Sequence, residues 1–230
     1  MKIVSPTPKF KAVLFDLGGT LVKTVEPPET YRRILEIYGV KASIESLAKA
    51  HRKQQEKFGD EEMAEKGPAL WVKWNARVLE RVGIRDNDDF LARKIDELWF
   101  DYAGLEIYSD VIEALDNLKN KKAKIGIVTN GFEKDYQKIL QRLSLEGYFD
   151  AVVGIDACHK AKPHKEIFLC AINRLQVHPE ETIFVGDSMK HDYEGAEKVG
   201  LKPLLILREG TAPSGVETIT SLTQVLRYVY

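Results

Sequence analysis

The sequence predicts an α/β chain in which a doubly wound parallel sheet is interrupted, just after its first strand, by an all-helical insertion. Three observations predict it. An apolar run, Ala12-Val13-Leu14-Phe15, ends at a single carboxylate, Asp16, and Gly18-Gly19 then lets the backbone turn before Thr20. From Pro28 to about Tyr102 the apolar residues recur at helical spacing with no strand between. Beyond Tyr102, strand and helix patterns alternate. Such alternation means a parallel sheet covered on both faces, joined by right-handed crossovers.

In chain order, residues 1–10 read as a short polar lead with two prolines, followed by a strand over Lys11 to Asp16. Glu26-Pro27-Pro28 breaks the pattern and reads as a linker. Four amphipathic helices follow. They carry Tyr31, Ile34, Leu35 and Tyr38; Ile44, Leu47, Ala48, His51 and Phe58; Trp71, Trp74, Val78 and Val82; and Leu91, Ile95, Leu98, Trp99 and Tyr102. All three tryptophans fall in this block, where a helical-bundle core accounts for them. Ser109 can cap a helix bearing Val111, Ile112, Leu115 and Leu118, and a strand then runs from Lys124 to Val128. A helix with Tyr136, Ile139 and Leu140, a strand near Ala151 to Ile155 and a helix with Ile167, Phe168, Ala171 and Ile172 come next. The strand Thr182 to Gly186 runs straight into Asp187-Ser188; a helix over Met189 to Val199 leads to the strand Pro203 to Leu207, whose opening proline fits a sheet edge. The expected organisation is a Rossmann-like core of residues 1–22 and 103–230 with a helical insertion, 23–102, over the carboxyl edge of the sheet.

Composition narrows the function classes. With 34 Lys+Arg against 35 Asp+Glu evenly scattered, the 230-residue chain has no basic face for nucleic acid. No apolar run is long enough to cross a bilayer, and no long apolar core marks a signal peptide, so a cytoplasmic protein is expected. Cys158 and Cys170 lack metal-ligand spacing and read as free buried thiols, ahead of a disulfide between them. Oligomeric state has no signature.

Polar groups fall where successive strands should end: Asp16, Thr129 with Asn130, Lys162 with Pro163, and Asp187 with Asp192. Singly, each suits a turn, a loop or a helix cap. Together, in this order on these elements, they resemble the haloacid dehalogenase-like hydrolase superfamily over nearly the whole chain, helical cap included. Attack on a phosphoryl group needs a nucleophile and positive charge or fixed donors to offset the substrate's anionic oxygens. The resemblance implies that Asp16 is the nucleophile and becomes an aspartyl-phosphate. It implies that Mg²⁺, which prefers oxygen ligands, is held by the carboxylates of Asp16 and Asp187 and the carbonyl of Gly18. Thr129, Asn130 and neighbouring backbone amides, those of Gly19 and Gly131 included, would hold the phosphate of a small phosphorylated molecule. Lys162 would neutralise charge beside Asp16, and Asp192 would orient Lys162 or a metal-bound water.

One position departs from the superfamily's phosphatase pattern, which has a second Asp two residues after the nucleophile as general acid and base. Here that position is Gly18. Proton transfer of this kind is worth about 10²–10⁴ in rate, so the residue bears on alkyl phosphates, whose leaving group needs a proton; the metal-binding carbonyl survives. Three alternatives follow. Arg52, in a context resembling the halide-binding arginine of 2-haloacid dehalogenases, points to a dehalogenase, whereas Asp187 argues against one. Lys49, Lys53 or Lys57 could serve as the Schiff-base lysine of a phosphonoacetaldehyde hydrolase-like enzyme, although each suits a solvated helix face. A non-catalytic member binding a phosphorylated ligand is the third. His51 falls in register with the helix core, while His164 and His191, near Lys162 and Asp192, could replace the missing acid.

Overall fold

A computed structural model describes residues 10–56 and 67–229. The chain divides into two compact units, residues 1–22 with 107–230 and residues 23–106.

The first unit is built on a six-stranded, all-parallel sheet that opens with β1 (Ala12–Phe15). A separate two-stranded sheet pairs β2 (Val22–Lys23) with β3 (Glu106–Ile107). The large sheet continues with β4 (Lys124–Val128), β5 (Ala151–Val153), β6 (Thr182–Gly186), β7 (Lys202–Ile206) and β8 (Thr218–Ile219), in the spatial order β5-β4-β1-β6-β7-β8. Both β1 and β6 are buried along their whole length, as a parallel strand covered on two faces must be. Ala12, Leu14 and Phe184 pack with Ile167, Phe168 and Ala171 of the helix Lys165–Leu175. Val13 and Phe15, pointing to the opposite face, are equally buried. The registers Phe15↔Ile127 and Phe15↔Val185 bring the ends of the three central strands level. That is what gathers Asp16, Thr129 and Asp187 at one edge of the sheet.

Several local expectations are corrected here. Pro203 is not on the outermost strand, because β8 pairs through Thr218 and Ile219 with Leu205 and Ile206. That ladder lies beyond Pro203, so the proline, which has no N–H to donate, costs it nothing. Asp110, not Ser109, precedes the helix Val111–Asn120, and its side chain makes no cap; the carboxylate serves Arg208 and the Leu222 amide instead. The expected helix after Ser188 begins as a π-type turn, Met189–Tyr193, before a short α-helix, Glu194–Glu197. Cys158 and Cys170 are free and half-buried, not fully buried.

The second unit contains α1 (Pro27–Ile37), α2 (Ile44–Glu56), α3 (Leu70–Val82) and α4 (Phe90–Tyr102). Pro27 and Pro28 form no linker: they open α1, where a missing N–H and a fixed φ are no handicap. Tyr31, Ile34 and Leu35 of α1 meet Leu47 and Ala50, Trp74, Val78 and Leu79, and Leu91, Ala92 and Ile95 of the other three helices. Inside this core the Tyr31 hydroxyl donates to Asn75 Oδ1 (2.6 Å), and Asn75 Nδ2 donates to the Ala92 carbonyl (3.2 Å). The Asp86 carboxylate accepts from the Leu91 and Ala92 amides at the start of α4. Residues 103–106, expected with the core, belong to this unit, where the Ala103 carbonyl accepts from the Val25 amide. Phe58 and Lys57 lie outside the described residues. Among the described residues no helix is long and apolar enough to cross a membrane.

Candidate active site

Asp16 follows the last residue of β1, its amide donating to the Val185 carbonyl at 2.9 Å, so the sheet itself fixes the carboxylate. Lys162 Nζ donates to Asp16 Oδ1 at 2.6 Å and to Asp192 Oδ1 at 2.7 Å, and all three side chains are buried. Asp192 is committed on both oxygens, because its Oδ2 accepts from the Ser188 amide at 2.9 Å. The lysine is held by its main chain as well. Its amide donates to Asn130 Oδ1 at 2.6 Å, and its carbonyl accepts from Asn130 Nδ2 at 3.1 Å. Asn130, expected to touch phosphate, thus spends its amide group on positioning Lys162.

Electrostatics follow from this packing. Burial raises the Asp16 carboxyl from 3.8 to about 7, with the charges of Asp192 and Asp187 adding to the rise and Lys162 opposing it. Asp187 faces solvent more than the other two, but the protein around its carboxyl and the charge of Asp192 lift it above the usual range. Burial alone would lower Lys162; the two carboxylates against it hold its ammonium above the ordinary lysine value. The site is thus a balance of three acids against one cation.

Oxygens of Asp16, Asp187 and Asp192 lie within 4.8 Å of one another. An all-oxygen donor set of this charge suits a hard divalent cation. Asp192 has both oxygens engaged by Lys162 and Ser188, whereas Asp16 gives Lys162 only its Oδ1, which leaves the second oxygen of Asp16 and the Asp187 carboxylate to take part. Gly19 explains how Asp187 comes so near. A β-carbon there would sit 2.2 Å from Asp187 Oδ2, and φ is +78°, so only glycine fits. The Gly19 amide donates to the Val22 carbonyl at 2.8 Å, which closes the turn after Asp16. Gly186 does for Asp192 what Gly19 does for Asp187: a β-carbon would approach its carboxyl to 2.4 Å. At Gly18, by contrast, a β-carbon would meet nothing within 4 Å.

Thr129 is buried at the end of β4, its amide bonded to the Val153 carbonyl, and its Oγ1 accepts from the Gly131 amide at 3.2 Å. His191 sits in the π-type turn, with Nδ1 3.2 Å from Ser188 Oγ; His164 is half-exposed just before the helix at Lys165. In the helical unit Lys49, Arg52 and Lys53 are exposed along α2. His51 is packed edge-on between the rings of Tyr31 and Trp74, and burial lowers its pKa.

A family model described as "haloacid dehalogenase-like hydrolase" matches residues 10–200. The chain belongs to this family of hydrolases. It is 30% identical over 202 residues to a glyceraldehyde 3-phosphate phosphatase of Methanopyrus kandleri, covering 86% of this chain and 84% of that one. It is 34% identical over 194 residues to a phosphorylated carbohydrates phosphatase of Thermotoga maritima, covering 84% and 82%. Among solved structures, a HAD phosphatase from Thermococcus onnurineus superposes with a TM-score of 0.66 at 26% identity, over 95% of this chain and 96% of that one.

Sequence reasoning missed two contributors to the site, the Asn130 clamp and the space made by Gly186, and also the anchoring of the Thr20 carbonyl by Arg208. Arg208 Nη1 donates to both oxygens of Asp110 (3.0 and 2.8 Å) and Nη2 to the Thr20 carbonyl. The signal for Gly186 was present, since a glycine closing a buried strand just before two acids needs a reason. The Arg208–Asp110 pairing spans 98 positions and has no local signature.

Proposed function

We propose that this hydrolase is a Mg²⁺-dependent phosphatase that takes the phosphoryl group of a small phosphorylated molecule onto Asp16. The observation that carries the reading is the buried Lys162 ammonium bridging Asp16 and Asp192 beside Asp187. The two relatives named above are phosphatases of small phosphorylated compounds, which supports the substrate class. Asp16 attacks phosphorus, the bond from phosphorus to the leaving-group oxygen breaks, and that oxygen carries the electron pair away. Lys162 and the Thr129 region balance the charge of the phosphoryl oxygens, while Asp192 and Asn130 keep Lys162 in place. Water then attacks phosphorus, releasing phosphate and restoring the Asp16 carboxylate. Mg²⁺, held by Asp16, Asp187 and the Gly18 carbonyl, would supply positive charge against these oxygens when bound.

Because Gly18 offers no side chain to protonate a leaving group, donors whose leaving group departs as a stable anion suit the site best. The free thiols Cys158 and Cys170 fit a reducing, cytoplasmic setting. The test is hydrolysis of p-nitrophenyl phosphate and acetyl phosphate with Mg²⁺ and with EDTA, alongside Asp16→Asn. Turnover that requires both the metal and Asp16 is expected. Equal turnover in EDTA, or in the Asp16→Asn variant, overturns the proposal.

A further inference from the structure

The loop that carries the nucleophile is anchored from a distant point in the chain. Arg208 follows β7, and its guanidinium makes three kinds of contact within the first unit: Nη1 onto both oxygens of Asp110, Nη2 onto the Thr20 carbonyl, and a stack 3.8 Å from the centre of the Tyr108 ring. Asp110 is itself fixed, because its Oδ2 accepts from the Leu222 amide at 2.7 Å. Thr20 is fully buried and lies in the same tight turn as Gly19, which leaves room for the Asp187 carboxylate. The Leu21 carbonyl accepts from the Tyr108 amide at 3.2 Å, closing the loop onto the same segment.

We infer that Arg208 is a positioning residue, holding the Asp16–Thr20 loop where it meets Asp187. The inference rests on the metal reading proposed above, since it is the spacing of this loop and Asp187 that Arg208 would set. A planar, always-charged guanidinium is suited to such anchoring because its two terminal nitrogens are fixed in one plane, so Nη1 on Asp110 and Nη2 on the Thr20 carbonyl hold those partners at a set spacing that a lysine's single nitrogen does not impose. The charge also reaches Asp187, opposing the burial and the Asp192 charge that raise its carboxyl. An ordinary structural ion pair would contribute to stability and leave the metal site alone.

The test is Mg²⁺ binding to the full chain, measured by titration calorimetry and by Mg²⁺-dependent rise in Tm, for wild type, Arg208→Met, Arg208→Lys and Asp110→Asn. Loss of a group that orients metal ligands typically weakens metal binding about 10–100-fold. Arg208→Met is expected to lose Mg²⁺ affinity by that factor, Arg208→Lys by less, and the Arg208→Met/Asp110→Asn pair by less than the sum of its single changes. Should Arg208→Met not fold, Arg208→Lys and Asp110→Asn carry the same comparison. Lower Tm with unchanged Mg²⁺ affinity in these variants overturns the inference and leaves the proposed function standing. Absence of Mg²⁺ binding to the wild type overturns the metal reading, and this inference falls with it.

Discussion

Replacing Lys162 by methionine keeps an unbranched side chain one atom shorter and removes its charge. Asp16 and Asp192, 8% and 2% exposed, then share a buried space with no cation between them. Breaking a buried ion pair by removing one partner typically costs about 3–5 kcal/mol, because the remaining charge is left uncompensated. For a domain of this size that corresponds to a Tm lower by roughly 6–20 °C. The loss must depend on pH. Burial has already raised the Asp16 carboxyl from 3.8 to about 7, against the pull of Lys162; without Lys162 it rises further. A carboxyl whose folded pKa exceeds its unfolded value binds its proton more tightly in the folded state. Its contribution to stability is therefore present below the unfolded pKa and lost as pH rises through the folded one. The deficit of the variant should be small where the Asp16 carboxyl is neutral, well below about pH 7, and should grow as pH rises past that value. Urea unfolding in EDTA at several pH values measures it. A deficit of the same size at acidic and alkaline pH, or none at alkaline pH, would refute the electrostatic account of this site.

Three further outcomes are expected. Gly18→Asp, entering open space, should raise hydrolysis of alkyl phosphates such as glycerol phosphate by up to about 10²–10⁴-fold; a rate that does not rise means the missing acid is not what limits turnover. Gly186→Ala drives a β-carbon to 2.4 Å from the Asp192 carboxyl and should cost about 1–3 kcal/mol in urea unfolding together with most of the activity. Full activity in that variant would mean that the orientation of Asp192 is unimportant. In the helical unit, Asn75→Ala removes the acceptor of the buried Tyr31 hydroxyl and the donor to the Ala92 carbonyl and should cost about 1–3 kcal/mol by thermal unfolding; a neutral result would show that both groups find other partners.

What could be read in the sequence was whatever short-range pattern dictates. The strands Lys124–Val128 and Thr182–Gly186 coincide with their expected limits, because a fully buried parallel strand is a continuous apolar run with polar residues at its end. The four helices of the second unit followed from their apolar spacing. Those same strand ends pointed to Asp16, Lys162, Asp187 and Asp192. Features set by tertiary partners were hidden. Pro27 and Pro28 look the same opening a helix as filling a linker. Asp110 stands where a helix cap belongs, yet its carboxylate bonds Arg208 and the Leu222 amide, and nothing near Asn130 announces that its amide matches the backbone of a residue 32 positions on.

Lys162 is tied at its main chain to the loop after β4, and at its side chain to the end of β1 and to the turn after β6, partners 32, 146 and 30 positions away. No contiguous fragment shorter than that longest span can hold the ammonium in its place. During refolding, activity should therefore return all at once with the docking of the central strands, and a chain nicked between them should either reassemble completely or be inert.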